Sequence, residues 1–103
     1  KEFDANKKTI LLNSHHDTVK PNKAYVNNPF KATKTDGKLF GLGSNDAGGC
    51  LVSLLEVFCQ FYTETNLKYN LIIAATGEEE NSGHNGIRSI LSQLPEIDFA
   101  IIG

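Results

Sequence analysis

Apolar and polar stretches alternate along this chain in a way that outlines its elements. Three short runs, TILLN (9–13), YNLIIAAT (69–76) and DFAIIG (98–103), are continuously apolar rather than alternating. A strand with one wet face shows a period of two, whereas a continuous run suits a strand covered on both faces of a parallel sheet. Between the first two runs lies AGGCLVSLLEVFCQFY, in which only Ser53, Glu56 and Gln60 form a polar stripe at helical spacing. Such a helix is expected to be buried around most of its circumference, and a chain of 103 residues has little material to cover it. Between the second and third runs, GIRSILSQLP sets Ile87, Ile90, Leu91 and Leu94 on one helical face and stops at Pro95.

Residues 20–42 break this rhythm with the polar words PNK, NNPF and TDGK. The pair Asp36-Gly37 is a tight-turn signal, because the favoured hairpin turn needs positive φ at both central positions. PFKAT and KLFGL are therefore expected to pair as a short β-excursion. The order strand–hairpin–helix–strand–helix–strand specifies an α/β fold, a mostly parallel sheet flanked by helices. No internal repeat or low-complexity segment interrupts it.

Composition narrows the function classes. With 40% hydrophobic residues, 21% charged residues and a formal charge of −2, the chain has no basic patch for nucleic acid and no apolar run long enough to span a membrane. It shows no charged-then-apolar leader and no methionine, opens in polar sequence and closes on an apolar run. It is accordingly read as a piece of a longer protein. Cys50 and Cys59 both fall in the apolar helical stretch, with no C-x-x-C spacing. They are expected to be buried free thiols in a reducing, cytoplasmic setting.

The acids and histidines change the picture most. HHD (15–17) directly follows the first strand, Asp46 directly precedes the long helix, and EEE (78–80) follows the strand at 69–76. Ligands of open α/β sheets gather beyond the carboxyl ends of the strands, so all three clusters should meet at one edge. Singly, each has a plain structural explanation: Asp46 as a helix N-cap, Glu78–Glu80 as an acidic first helical turn, His15 and His16 as loop residues. Together they concentrate negative charge with no lysine or arginine among them, which calls for a cation. Gly41-x-Gly43 resembles the start of a dinucleotide loop, but Asp46 stands where that fingerprint needs its third glycine. A carboxylate there suits a metal, not a phosphate. Alternate side chains of extended chain share a face, so His15 and Asp17 should point together and His16 away. A metal-binding imidazole commonly has its other nitrogen held by a carboxylate, and adjacent glutamates can divide the tasks of ligand and general base.

LLNSHHDTV, GLGSNDAGG and TGEEE together resemble the three successive metal-site motifs of the co-catalytic zinc amidohydrolases and peptidases. That superfamily includes acetylornithine deacetylase, succinyl-diaminopimelate desuccinylase, aminoacylase and carboxypeptidase G. The likeness runs from about residue 9 to residue 103. It implies that His15 is a terminal ligand of one zinc and Asp17 its orienting carboxylate. It further implies that Asp46 bridges two zinc ions, that Glu78 is the general base and that Glu79 binds the other zinc, where cobalt could substitute. Glu80 receives no role, and a shift of one residue within the triplet stays open. His84 matches no ligand and is expected as an exposed loop residue, and Arg88 as a solvated one. A cis peptide bond is implied at Asp46–Ala47.

Residues 1–103 would be the N-terminal part of the metal-dependent catalytic domain. A carboxylate ligand would follow Gly103, with a distal histidine and a lid or dimerisation domain further on. The intact enzyme would be a homodimer. This piece alone should be inactive and a poor zinc binder, with repulsion raising the pKa of one or more of Asp46, Glu78 and Glu79. The implied reaction is hydrolysis of the amide bond of a small N-acyl amino acid. The wording of the motifs lies nearest the arginine-biosynthesis branch, which removes acetyl or succinyl groups from ornithine or citrulline. A dipeptidase or carboxypeptidase of the same superfamily acting on short peptides is the alternative. A non-catalytic metal-binding protein and a nucleotide-binding module are the readings from other classes.

Overall fold

A computed structural model of the chain describes residues 3–103. In chain order the elements are β1 (Thr9–His15), the hairpin β2 (Thr33–Thr35) and β3 (Lys38–Phe40), α1 (Gly48–Tyr62), β4 (Asn70–Thr76), α2 (Arg88–Leu91) and β5 (Phe99–Ile102). The three apolar runs form one parallel sheet in the order β4-β1-β5. The parallel α/β architecture expected from the continuous runs is thus present. Each parallel connection passes through a helix, as parallel strands require.

The first strand outlasts its apolar run. Asn13, Ser14 and His15 pair with Ala74, Ala75 and Thr76, so the ladder carries polar side chains to the sheet's carboxyl edge. Asn13 is buried there and donates from Nδ2 to the Ala74 carbonyl at 3.0 Å and to Thr76 Oγ1 at 3.3 Å. At the opposite end, Asp98 accepts the Thr9 N–H at 2.8 Å and returns its own N–H to the Thr9 carbonyl at 3.0 Å, which seats β5 against β1. The hairpin turns at Asp36 and Gly37, whose φ angles of 50° and 73° are the pair of positive values that the sequence called for.

The core is β1. Leu11 and Leu12 are buried, along with Ala74 from β4 and Ala47 before α1. Leu12 is 2% exposed, so Leu12→Ala should destabilise the protein by about 2–5 kcal/mol through lost burial and the cavity left behind. A denaturant titration giving a loss under about 1 kcal/mol would mean that the sheet centre is not the stabilising element.

Four expectations need correction. The strand at 98–103 is not covered on both faces: Phe99, Ile101 and Ile102 are 54%, 54% and 68% exposed, because β5 is an edge strand and α1 packs on β1 and β4. The long helix is not buried around its circumference. Leu51, Leu54 and Phe58 form its less exposed line, while Val52, Leu55, Val57 and Phe61 are exposed. Cys50 and Cys59 lie on that uncovered surface, so they are free and exposed rather than buried. The second helix is also shorter than its spacing suggested. Only Arg88–Leu91 is α-helical, and the bonds from Ile90 N to Ile87 O, Gln93 N to Ile90 O and Leu94 N to Leu91 O are tighter three-residue closures. Among the described residues no helix is long and apolar enough to cross a membrane.

Candidate metal centre

The parallel register brings two of the three acidic clusters together. His15 ends β1 opposite Thr76, which ends β4, and His16 N donates to the Thr76 carbonyl at 2.9 Å. HHD and EEE therefore leave the sheet side by side. The third cluster arrives from the loop before α1. Gly43 adopts φ 73°, and a Cβ on it would collide with the Thr18 side chain, so the glycine lets this loop close onto the segment after HHD. Gly48 N then donates to the Gly43 carbonyl at 2.8 Å, closing the turn that presents Asp46. The Asp46–Ala47 peptide bond is cis.

The plain explanations for the acids are not what this geometry contains. The N-cap of α1 is Ala47, without a side-chain cap, and no acid lies in the first turn. Asp46 instead turns toward the histidine, with Oδ1 at 3.0 Å from His15 Nε2. Glu78–Glu80 precede α2 by a loop and lie in no helical first turn. His16 is exposed and has no part in the cluster, in keeping with alternation along the strand.

His15 is 6% exposed and sits at the centre. Its Nδ1 lies 3.0 Å from the Asp17 carbonyl oxygen and 3.3 Å from Asp17 Oδ1, which leaves Nε2 facing Asp46 and, at 3.7 Å, Glu79 Oε2. Ligand atoms of His15, Asp46 and Glu80 all lie within 4.8 Å of one another. One oxygen of Glu80 also accepts the Val19 N–H at 3.2 Å, which ties that side chain toward the β1 side of the site.

The five carboxylates divide into two kinds. Asp17 accepts the backbone N–H groups of Glu79 and Glu80 at 3.4 and 3.3 Å. Glu78 accepts the Asn85 N–H at 2.9 Å and the Asn85 Nδ2 amide at 2.7 Å. Both thus have their charge met by protein donors. Asp46 and Glu79 accept no backbone N–H among the described residues, Glu80 accepts only that of Val19 on one oxygen, and all three lie close to His15. An imidazole with carboxylate oxygens is a donor set that suits zinc, cobalt or manganese, so the residues present fit a divalent metal.

The electrostatics agree with this division. Burial alone would lower the His15 pKa. The hydrogen bond to Asp46, the Asp17 carbonyl and the charges of Glu79 and Asp17 outweigh burial and raise it above the usual histidine range. Burial works to raise the Asp17 carboxyl, but the N–H groups of Glu80 and Glu79 prevail and lower it. At Glu78 the side-chain and backbone hydrogen bonds from Asn85 outweigh burial and hold its carboxyl below its ordinary value.

A proton on His15 competes with a metal for Nε2, and the raised pKa extends that competition to higher pH than for a free imidazole. Zinc affinity should fall about tenfold per pH unit below the His15 pKa and level off above it. Calorimetric titrations across the histidine range would show this; an affinity indifferent to pH there would remove His15 from the ligand set.

A cleft beside the cluster is lined by His15, Asp46, Glu78 and Glu79 together with Ile87 and Arg88, and Glu80 is not part of that lining. Arg88 is exposed, as expected, but borders the same cleft. His84 is exposed, also as expected. Sequence reasoning gave Asn85 no role and left Glu80 without one. An asparagine in a polar glycine-containing loop carries no signal of its partner, and three consecutive glutamates carry no internal register.

The sequence profile of peptidase family M20/M25/M40 matches residues 11–103. The chain is similar to the succinyl-diaminopimelate desuccinylase of Buchnera aphidicola subsp. Cinara cedri (strain Cc), with 38% identity over 93% of this chain and 27% of that protein. It therefore spans about a quarter of the length of this curated relative. On the strength of the profile match, which takes in all three acidic clusters, the chain belongs to peptidase family M20/M25/M40.

Proposed function

We propose that the intact protein is a metal-dependent amidohydrolase that cleaves the amide bond of a small N-acyl amino acid. The observation that carries this is the convergence of His15, Asp46 and Glu80 with Glu79 beside them at the edge of a cleft. In this assignment His15, Asp46 and Glu80 are metal ligands, Glu79 is the general base, Asp17 orients His15, and Glu78 is a structural carboxylate. It reads the glutamate triplet one residue later than the motif resemblance did. Two features support the shift. Both Glu78 oxygens are taken by Asn85, and Glu79 lines the cleft while Glu80 does not. The earlier register, with Glu78 as base and Glu79 as ligand, draws on the 3.7 Å approach of Glu79 Oε2 to His15 Nε2.

Bound zinc or cobalt ions would supply an acidified water and a polarised substrate carbonyl. Glu79, 62% exposed and unclaimed by any backbone donor, is free to take the water's proton and pass it to the leaving amine. Asp17 holds His15 Nδ1 through its carbonyl oxygen, with Oδ1 at 3.3 Å, and holds the triplet by accepting two N–H groups on its carboxylate, so one residue ties two motifs together. A second carboxylate ligand, a distal histidine and the substrate-reading surface would come from residues outside 1–103. The intact protein is proposed to be a cytoplasmic homodimer.

The acyl group is proposed to be acetyl or succinyl, on ornithine, citrulline or a similar amine. The relative's name, a desuccinylase, supports an acyl substrate, whereas the family's description as peptidases supports a dipeptidase or carboxypeptidase. The intact protein, supplied with zinc or cobalt, should hydrolyse N-acetylornithine or N-succinyl amino acids with kcat/KM at least about tenfold above that for dipeptides, a gap of about 1.4 kcal/mol in transition-state binding. The reverse preference would reassign it as a peptidase. Metal binding without turnover of either class would leave a non-catalytic metal-binding protein.

A further inference from the structure

The loop that follows β4 is folded around a carboxylate. Glu78 adopts φ 56°, a left-handed conformation that non-glycine residues adopt at a cost, and Ser82 follows with φ 52°. Glu78 then closes the loop in two ways. Its carbonyl accepts the Gly83 N–H at 2.9 Å. Its side chain reaches the same turn, taking the Asn85 N–H on one oxygen at 2.9 Å and the Asn85 Nδ2 amide on the other at 2.7 Å. A Cβ at Gly83 would collide with this carboxylate, so the loop has room for the clamp only because that residue is glycine. On the far side, Asp17 takes the N–H groups of Glu79 and Glu80. The two residues that face His15 are therefore gripped from both sides, by Asp17 through their own backbone and by Asn85 through Glu78.

We infer that Asn85 is a positioning residue: its bidentate grip on Glu78 fixes the turn from which Glu79 and Glu80 project toward His15 and Asp46. This rests on the proposed role of the cluster as a metal centre. The clamp lies beyond the metal ligands and touches neither metal nor substrate. A displacement of about 1 Å at reacting groups, caused from a distance, can lower a rate about a hundredfold. Loss of the clamp should therefore appear in kcat and in the metal's surroundings, with little change in KM.

The test uses the intact protein, loaded with cobalt so that its visible absorption reports ligand geometry. Asn85→Asp sets a second carboxylate against Glu78. It should lower kcat about 30- to 100-fold, leave KM within about threefold, and change the cobalt spectrum. The Glu78→Gln/Asn85→Asp double variant exchanges amide and carboxylate across the contact. The glutamine oxygen still accepts the backbone N–H of residue 85, and its amide donates to the new carboxylate. Both hydrogen bonds are restored, the side-chain one with its polarity reversed, so kcat should recover to within about fivefold of wild type, with the wild-type cobalt spectrum.

A wild-type spectrum and kcat in Asn85→Asp would overturn the inference, as would a double variant as impaired as the single one. Failure of the underlying function is separately visible. A wild-type protein that binds cobalt without hydrolysing any acyl amino acid or peptide refutes the hydrolase, while the spectra of the variants still decide the clamp. A wild-type protein that binds no cobalt refutes both.

Discussion

Replacing Glu79 by glutamine should lower kcat of the intact protein about a thousandfold while bound zinc is retained, the size of effect expected when a positioned general base is lost. The same change at Glu78 should cost far less. Glu78 is engaged by Asn85 at 2.9 and 2.7 Å, and a glutamine keeps an acceptor oxygen for one of those donors. Its loss should resemble the loss of a hydrogen bond in a loop, about tenfold in rate or less. The two variants separate the alternative registers of the triplet, because the earlier one predicts the opposite ranking. It makes Glu78→Gln the inactive, metal-bound variant and makes Glu79→Gln the one that loses metal. Measuring kcat together with metal content in both variants distinguishes the cases, since a lost base leaves the metal in place and a lost ligand does not.

Asp46→Asn should be the most damaging change to the metal centre itself. Asp46 Oδ1 lies 3.0 Å from His15 Nε2, and its side chain is 75% exposed, so its second oxygen is available beyond the histidine. A carboxylate so placed can serve two cations, whereas an amide carbonyl is neutral and a far weaker ligand for a borderline metal. The asparagine variant should bind less than one zinc per chain and lose activity by about a thousandfold or more. The fold should persist, because the loop is held by the Gly43 and Gly48 backbone contact and not by the carboxylate. A variant that keeps two tightly bound metals would remove Asp46 from the ligand set. A variant that unfolds would show instead that the aspartate is needed for the turn.

Much of this arrangement is legible in the sequence because it follows from periodicity and position. Continuous apolar runs predict a parallel sheet, whose strands take the order β4-β1-β5, and parallel strands force HHD and EEE to the same edge. Asp36-Gly37 predicts the hairpin turn, although the strand before it is Thr33–Thr35 rather than PFKAT, and alternation along β1 separates His15 from His16. The burial of α1 and β5 is not legible, since apolar composition says that a surface seeks cover without saying which element covers it. Phe99 and Ile102 on β5, and Val52 on α1, accordingly stay exposed. The limits of the short helix at Arg88–Leu91 escape for a different reason: its apolar spacing fits an α-helix, but the turns on either side close with three-residue bonds. Within the site, the identity of the acids is plain from sequence and their division of labour is not. Which glutamate of the triplet faces the histidine depends on the left-handed turn at Glu78 and on the Asn85 clamp seven residues later, and neither leaves a pattern in the letters.

In the proposed centre His15, Asp46 and Glu80 bind the metal while Glu79 stands beside it. Diffraction from crystals of the intact protein grown with zinc, with the metal located by its anomalous signal, tests this most directly. Zinc is expected at about 2.0–2.2 Å from His15 Nε2 and from oxygens of Asp46 and Glu80, with both Glu79 oxygens beyond bonding distance. Zinc bound through Glu79, with Glu80 turned away toward Val19, would contradict it.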